Sequence, residues 1–290
     1  MKAQAAIEYL VTYSWALLIM AVVIGVLFEL GVFNLNNYVA RASPGSCSVY
    51  RPFGPDTTQQ INLQGLCSTT IPKFVAFFDG KNSHINITNQ SASLTQLTSK
   101  LTITAWIYAS NSLPNSQTVL SKANPTNDIG YIFPDTSSGW NTISFSLYVG
   151  GTWEPMLTAP YPGTGTWHFV AATYDGSNMN VYIDGSLAAS EAASGPMSID
   201  YNNITVGDNA GSNRFSGRAA NIQIYNISLS ANQIHELYIE GIGGHPAVLQ
   251  SLVGWWQLNG DTNDYSGNGN TGISNTIIFS EAWTDGYSTP

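Results

Sequence analysis

Carboxylates, imidazoles and thiols are the usual raw material of active sites, and in this chain they are scattered. Glu154, Glu191, Glu236, Glu240 and Glu281 each stand apart from other acids that could partner them on a strand. Glycoside hydrolysis needs two carboxyl groups about 5–9 Å apart across a groove, which a strand would present at alternate positions. His84, His168, His235 and His245 occur singly, without metal-ligand spacing, and Ser, Cys and His combine into no nucleophile motif. The pattern predicts that the protein is not an enzyme.

Binding chemistry is better represented. Trp140, Trp153 and Tyr161 sit among Gly, Ser and Pro in expected loops, where an aromatic face can stack on a sugar ring. Trp106 and Trp167 fall in strand-like runs and are expected to pack in the interior, with His168 structural beside them. Asn259-Gly-Asp-Thr-Asn-Asp264 concentrates side-chain oxygens of the kind calcium prefers, so Asp261 and Asp264 are either metal ligands or parts of a solvated turn.

A further carboxylate stands where it is costly. Glu8 precedes the apolar run Leu10–Phe28, which at about 1.5 Å per residue is long enough to cross a bilayer core of roughly 30 Å. A charge at the head of such a helix needs a reason. With the short leader Met1-Lys2-Ala3, this start resembles the class III signal of archaeal type IV pilin-like proteins. The resemblance implies leader cleavage between Ala3 and Gln4 and retention of the helix. It also implies that Glu8 pairs with the Gln4 amino group of a neighbouring subunit during filament assembly.

The composition fits an exported chain. Lys and Arg number 9 against 18 Asp and Glu, and charged residues make up 9% of 290. No Lys or Arg lies between Lys122 and Arg214 or after Arg218, which excludes a phosphate-binding nucleic-acid surface. Cys47 and Cys67 follow the apolar run; in an oxidising exterior they can pair, and otherwise they are two buried thiols. Sequons at Asn86, Asn89, Asn203 and Asn226 agree with a cell-surface location.

Residues 34–73 are rich in Pro, Gly, Ser and Thr and read as a connector. Beyond them, short alternating segments separated by turn residues predict an all-β sandwich. Leu101, Ile103, Ala105 and Ile107 share one strand face, and Asp184-Gly185 supplies a hairpin turn after Met179–Asp184. Further strands are expected at 74–78, 143–149, 167–174 and 219–225. Ser230 and Gln233 predict a capped helix with Ile234, Leu237 and Tyr238 inward.

The order FDGKNSHINI (78–87 with Asp79), LTITAWIY (101–108), TVLSK (118–122), GTWHFVAATYDGSNMNVYIDG (165–185), ITVG (204–207) and FSGRAANIQIYNISLSANQIHELY (215–238) resembles the concanavalin-like laminin-G family. The resemblance covers roughly residues 74–240. It implies a mainly β fold: a two-sheet jelly-roll sandwich that commonly binds glycans or proteins, often with structural calcium. It also places Asn221 where the family often has an acidic calcium ligand. LVGWWQLNGDTNDYSGNGNTG (252–272) looks like the family's opening hairpin, yet it comes last. It either begins a second copy or folds back to complete the sandwich, and fold-back is expected because a lone hairpin would expose Trp255 and Trp256.

The chain is thus divided into a leader (1–3), a hydrophobic membrane or filament-core α-helix (4–33), a connector (34–73), the sandwich (74–245) and a completing segment (246–290). The expected function is a surface-exposed, type IV pilin-like subunit or adhesin, anchored in the membrane and assembled with like subunits. Its sandwich binds a glycan or surface protein. A membrane-tethered lectin without a filament and a structural coat subunit are the alternatives.

Overall fold

The computed structural model describes Trp15 and residues 18–23, 71–110, 117–123, 130–136, 142–288 and 290. Residues 18–23 are helical and exposed. Ala3, Gln4, Glu8, Cys47, Cys67 and Trp140 lie outside the described residues, as does most of the run Leu10–Phe28. Among the described residues no helix is long and apolar enough to cross a membrane.

The rest is a two-sheet jelly roll. Its strands are β1 (Val75–Asp79), β2 (His84–Ile87), β3 (Leu101–Ala109), β4 (Leu120–Ala123), β5 (Gly130–Asp135), β6 (Thr142–Val149), β7 (Thr152–Trp153) and β8 (Leu157–Pro160). They continue as β9 (Trp167–Tyr174), β10 (Asn178–Ile183), β11 (Ser186–Ala192), β12 (Ile204–Val206), β13 (Ser216–Tyr225), β14 (Leu252–Trp256), β15 (Ile273–Asn275) and β16 (Ile278–Ser280). The first sheet runs β11-β10-β9-β3-β13-β1-β16, with β14 also on β13; the second runs β15-β2-β12-β4-β5-β6-β7, with β8 on β6.

Alternation explains the layers. Ile103, Ala105 and Ile107 of β3 point into the space between the sheets and meet Ile85 and Ile87 of β2 in the main core. Trp106 points the other way and is still only 2% exposed, because a second apolar cluster covers the outer face of the first sheet. The helix Ala231–Ile239 supplies that cover. Its Ser230 and Gln233 form a reciprocal capping box, its Ile234 and Leu237 are buried, and Tyr238 stacks on Trp106 with ring centroids 6.0 Å apart. The Asp184-Gly185 turn fits tightly beneath this helix. Gly185 has φ +74°, and a Cβ there would lie 2.8 Å from His235 Nδ1.

The C-terminal segment contributes to both sheets. β13 carries β1 along Ser216–Ala219 and β14 along Ile222–Tyr225, with a bulge between them. β16 pairs with β1, and β15 extends the second sheet beyond β2. Neighbouring residues of β14 face opposite ways, so Trp256 enters the main core at 1% exposure while Trp255 packs on the outer cluster.

Candidate functional site

A groove of about 450 Å³ opens on the outer face of the second sheet. Its floor follows from strand register. Asn86 of β2 stands opposite Thr205 of β12, and Thr205 stands opposite Ser121 of β4. Residues paired in register share a face, so these three form a polar row. Their neighbours Ile85, Ile204, Val206 and Leu120 point inward and are buried. Ser121 Oγ and Thr205 Oγ1 lie 2.7 Å apart, and both hydroxyls donate to the Asp208 carbonyl, at 3.1 and 3.0 Å.

The turn after β12 forms the wall. Gly207 has φ +93°, and a Cβ there would meet the Phe78 ring at 2.3 Å, so only glycine lets the chain leave β12 at this point. That exit places Asp208 in the groove wall at 2% exposure. Its Oδ2 lies 4.0 Å from His84 Nδ1, while Oδ1 is buried without a hydrogen-bond partner. His84 Nδ1 is also 2.8 Å from the Asn82 carbonyl. Arg214 closes the loop by donating from Nη2 to the Gly211 carbonyl at 3.2 Å, and its Nη1 is likewise buried without a partner. A buried acceptor and a buried donor thus line one opening, and each costs free energy until something binds it. Asn202 and Asn203 add planar amides to the same wall.

The residues singled out by sequence lie elsewhere. Trp153 is half-buried on β7, edge-on to Tyr148 with centroids 5.8 Å apart. Tyr161 follows β8 and packs against the main core, where burial raises its hydroxyl pKa. β7 pairs with β6 at Tyr148, and β8 pairs with it down to Thr142. The two aromatic residues therefore sit at opposite ends of β6, on the order of 20 Å apart. They do not form one stacking platform, and neither lines the groove.

Asp261, Asp264 and Asn221 use their oxygens within the protein. Asp261 accepts from Asn263 and from the Tyr265 hydroxyl. Asp264 accepts the backbone N–H groups of Trp255, Ser266 and Asn270. Asn221 Oδ1 accepts from both Trp255 Nε1 and Gln223 Nε2. Among the described residues no three His, Cys, Asp or Glu side chains cluster to hold a metal. A calcium ion takes about six to eight free oxygens. This donor set does not fit one; it fits turn-stapling carboxylates.

His168 bridges Thr166 Oγ1 at 2.8 Å and Asp184 Oδ2 at 2.9 Å, an order reminiscent of a hydroxyl–imidazole–carboxylate relay. Asp184 also accepts the Phe169 N–H at 3.0 Å and forms the β10–β11 turn. Those bonds give the histidine a structural task in fixing that turn.

Of the sequons, Asn86 and Asn203 line the groove, while Asn89 and Asn226 are exposed away from it. The groove itself was missed in the sequence. Its only local signal is the pattern His84-x-Asn86 and Asn203-x-Thr205, polar residues alternating with buried Ile on two strands.

The architecture is that of a concanavalin-like jelly roll. Residues 79–235 match the laminin-G-type family profile described as the concanavalin A-like lectin/glucanases superfamily, and the chain belongs to that family. Among solved structures, it is similar to a Bacteroides ovatus protein described as a candidate carbohydrate-binding protein. That likeness has a TM-score of 0.54 and 17% identity, covering 72% of this chain and 60% of the other. It is also similar to the heptameric SAP-like pentraxin of Limulus polyphemus, with a TM-score of 0.51 and 15% identity, covering 74% of this chain and 97% of the other. The chain thus spans less than two thirds of the Bacteroides protein. No curated protein matches this sequence.

Proposed function

We propose that this is a non-enzymatic, cell-surface glycan-binding protein whose N-terminal segment anchors it and joins it to like subunits in a type IV pilin-like filament. The observation that carries the binding role is that Asp208 Oδ1 and Arg214 Nη1 are both buried without partners, on residues that line one polar groove. A carboxylate that accepts and a guanidinium that donates suit the hydroxyl and ring oxygens of a sugar. The flanking amides of Asn86, Asn202 and Asn203 extend that pattern. Likeness to a candidate carbohydrate-binding protein supports the reading at the level of fold. Calcium is not needed for it.

A glycan attached to Asn86 or Asn203 would occupy the groove, so N-glycosylation belongs to Asn89 and Asn226 in this scheme. The anchoring and filament roles rest on the sequence pattern of Ala3, Gln4, Glu8 and the apolar run. Screening the full-length protein against immobilised glycans, beside Asp208→Ala, tests the binding role. Binding by both proteins alike would remove the groove from the account.

A further inference from the structure

Lys122 is an inward-facing lysine. Ser121, its neighbour on β4, stands in register with the groove residue Thr205, so Lys122 points into the sandwich, where it is 1% exposed. Its Nζ donates to the Gln90 Oε1 at 2.5 Å and to the Asn202 carbonyl at 2.7 Å. The Gln90 amide is itself held in place, because its Nε2 donates to the carbonyls of Asn202 and Ile87 at 2.7 and 3.3 Å. A buried primary amine and a fixed, half-buried carboxamide are therefore held together.

An acid lies beside the amine. A cavity of about 10 Å³ is lined by Lys122, Tyr131 and Asp200 among the apolar side chains of Leu94, Leu97 and Met197. Asp200 is 4% exposed; its Oδ1 accepts the Asn202 N–H at 2.7 Å, while its Oδ2 has no partner. The Tyr131 hydroxyl in the same cavity also has none. Burial pushes the Lys122 amine down to about 8, against the opposing pull of Asp200. Burial likewise pushes the Asp200 carboxyl up. Each group is moved toward its neutral form: a free amine, which is a nucleophile, and a carboxylic acid, which can give a proton.

We propose that Lys122 and Gln90 join through a self-formed isopeptide bond, with Asp200 as the proton carrier. The Nζ lone pair adds to Cδ of Gln90, which puts Nζ and Nε2 on one carbon, and a proton from Asp200, beside Nζ, passes by way of Nζ to the departing Nε2. The Cδ–Nε2 bond breaks, ammonia leaves, and the Asp200 carboxylate takes the surplus proton from Nζ. One amide replaces another, so no oxidant or reductant is involved. Fixed proximity supplies the rate that free Lys and Gln lack in water. The link would tie the exit of β2 to β4 across β12, the three strands whose outer faces form the groove floor. It does not depend on what the groove binds.

Tryptic peptide mapping of the full-length protein reads this directly. With Lys122 acylated, trypsin cannot cut after it, and peptide 82–100 should appear joined to peptide 101–214, lighter than their sum by one ammonia. Unlinked peptide 82–100, bare or carrying only a glycan on Asn89, with complete cleavage after Lys122, would overturn the proposal. So would a link lighter by one water joining Lys122 to Asp200. Asp200→Asn should lower the linked fraction at least tenfold while circular dichroism reports the same β fold; a link that forms unchanged in that variant would overturn the role of Asp200.

Discussion

Trp255 Nε1 donates to Asn221 Oδ1 at 2.8 Å, and that bond ties β14 to the middle of β13. Asn221 occupies the β13 bulge at φ +49°, a left-handed conformation that Asn tolerates better than most residues. Its Nδ2 donates to the Gly244 carbonyl at 2.8 Å. From Oδ1 the chain of bonds continues through Gln223 and the Tyr225 hydroxyl to the Ala247 N–H. A buried network of this kind is stable only when every member is satisfied.

Asn221→Ala should therefore cost about 2–4 kcal/mol, since it leaves buried donors unpaired and puts in the left-handed conformation a residue that tolerates it less well than Asn. Urea denaturation of the full-length protein would show the midpoint falling. An unchanged midpoint would mean that the network contributes nothing to stability.

Truncation after Gly244 should be more severe. It removes β14, β15 and β16, and with them Trp256 from the main core and Trp283 from the outer cluster. Losing one buried tryptophan alone is worth about 3 kcal/mol or more, a large share of a typical domain's roughly 5–15 kcal/mol. The truncated chain should aggregate or be digested under mild proteolysis. Cooperative melting at the parent's temperature would show that the C-terminal segment is dispensable.

The layers of this fold were legible because alternation writes them into the chain. Leu101–Ile107, Met179–Asp184 and the helix capped at Ser230 are each set by neighbours in sequence, and β3, β10 and the helix appear at those places. The groove was not legible. Its floor is assembled from β2, β12 and β4, whose partners are more than eighty residues apart, and its wall depends on the exit that Gly207 permits. The burial of Tyr161 against the main core was not legible for a related reason. A ring among prolines and glycines looks exposed until the packing beneath it is known. The place of Asn221 in a bulge was not legible either, because a bulge position reads, in one dimension, like any other strand residue.

Asp79 gives a pH signature. Burial works against its charge, yet its Oδ1 accepts the N–H groups of Ser83, Lys81 and Asn82 at 2.8–3.0 Å, and the balance holds the carboxyl well below the usual range. A depressed folded-state value means that the unfolded chain takes up the proton first. Its stabilisation is complete above the ordinary carboxylate value of about 3.9 and is lost as pH falls through the folded-state value. Asp79→Asn should lower stability at neutral pH and flatten the decline of stability below about pH 4. Parallel acid limbs in the two proteins, followed by tryptophan fluorescence, would contradict the assignment.

The N-terminal pattern makes a separate prediction. Material recovered from the cell surface should begin at Gln4, as read by N-terminal mass spectrometry. Glu8→Gln should abolish filament assembly while the protein still fractionates with membranes, because it leaves the Gln4 amino group of the neighbouring subunit unpaired in an apolar filament core, at a cost of several kcal/mol. Normal filaments from that variant would leave Glu8 without a role.

The groove is the central claim, and calorimetric titration of the full-length protein with the best glycan from an array tests it most directly. The account predicts saturable binding that persists when calcium is chelated. Affinity should fall at least tenfold, about 1.4 kcal/mol or more, in both Asp208→Ala and Arg214→Ala. Trp153→Ala should bind like the parent. Binding that is indifferent to Asp208 and Arg214 but lost with Trp153 would contradict it.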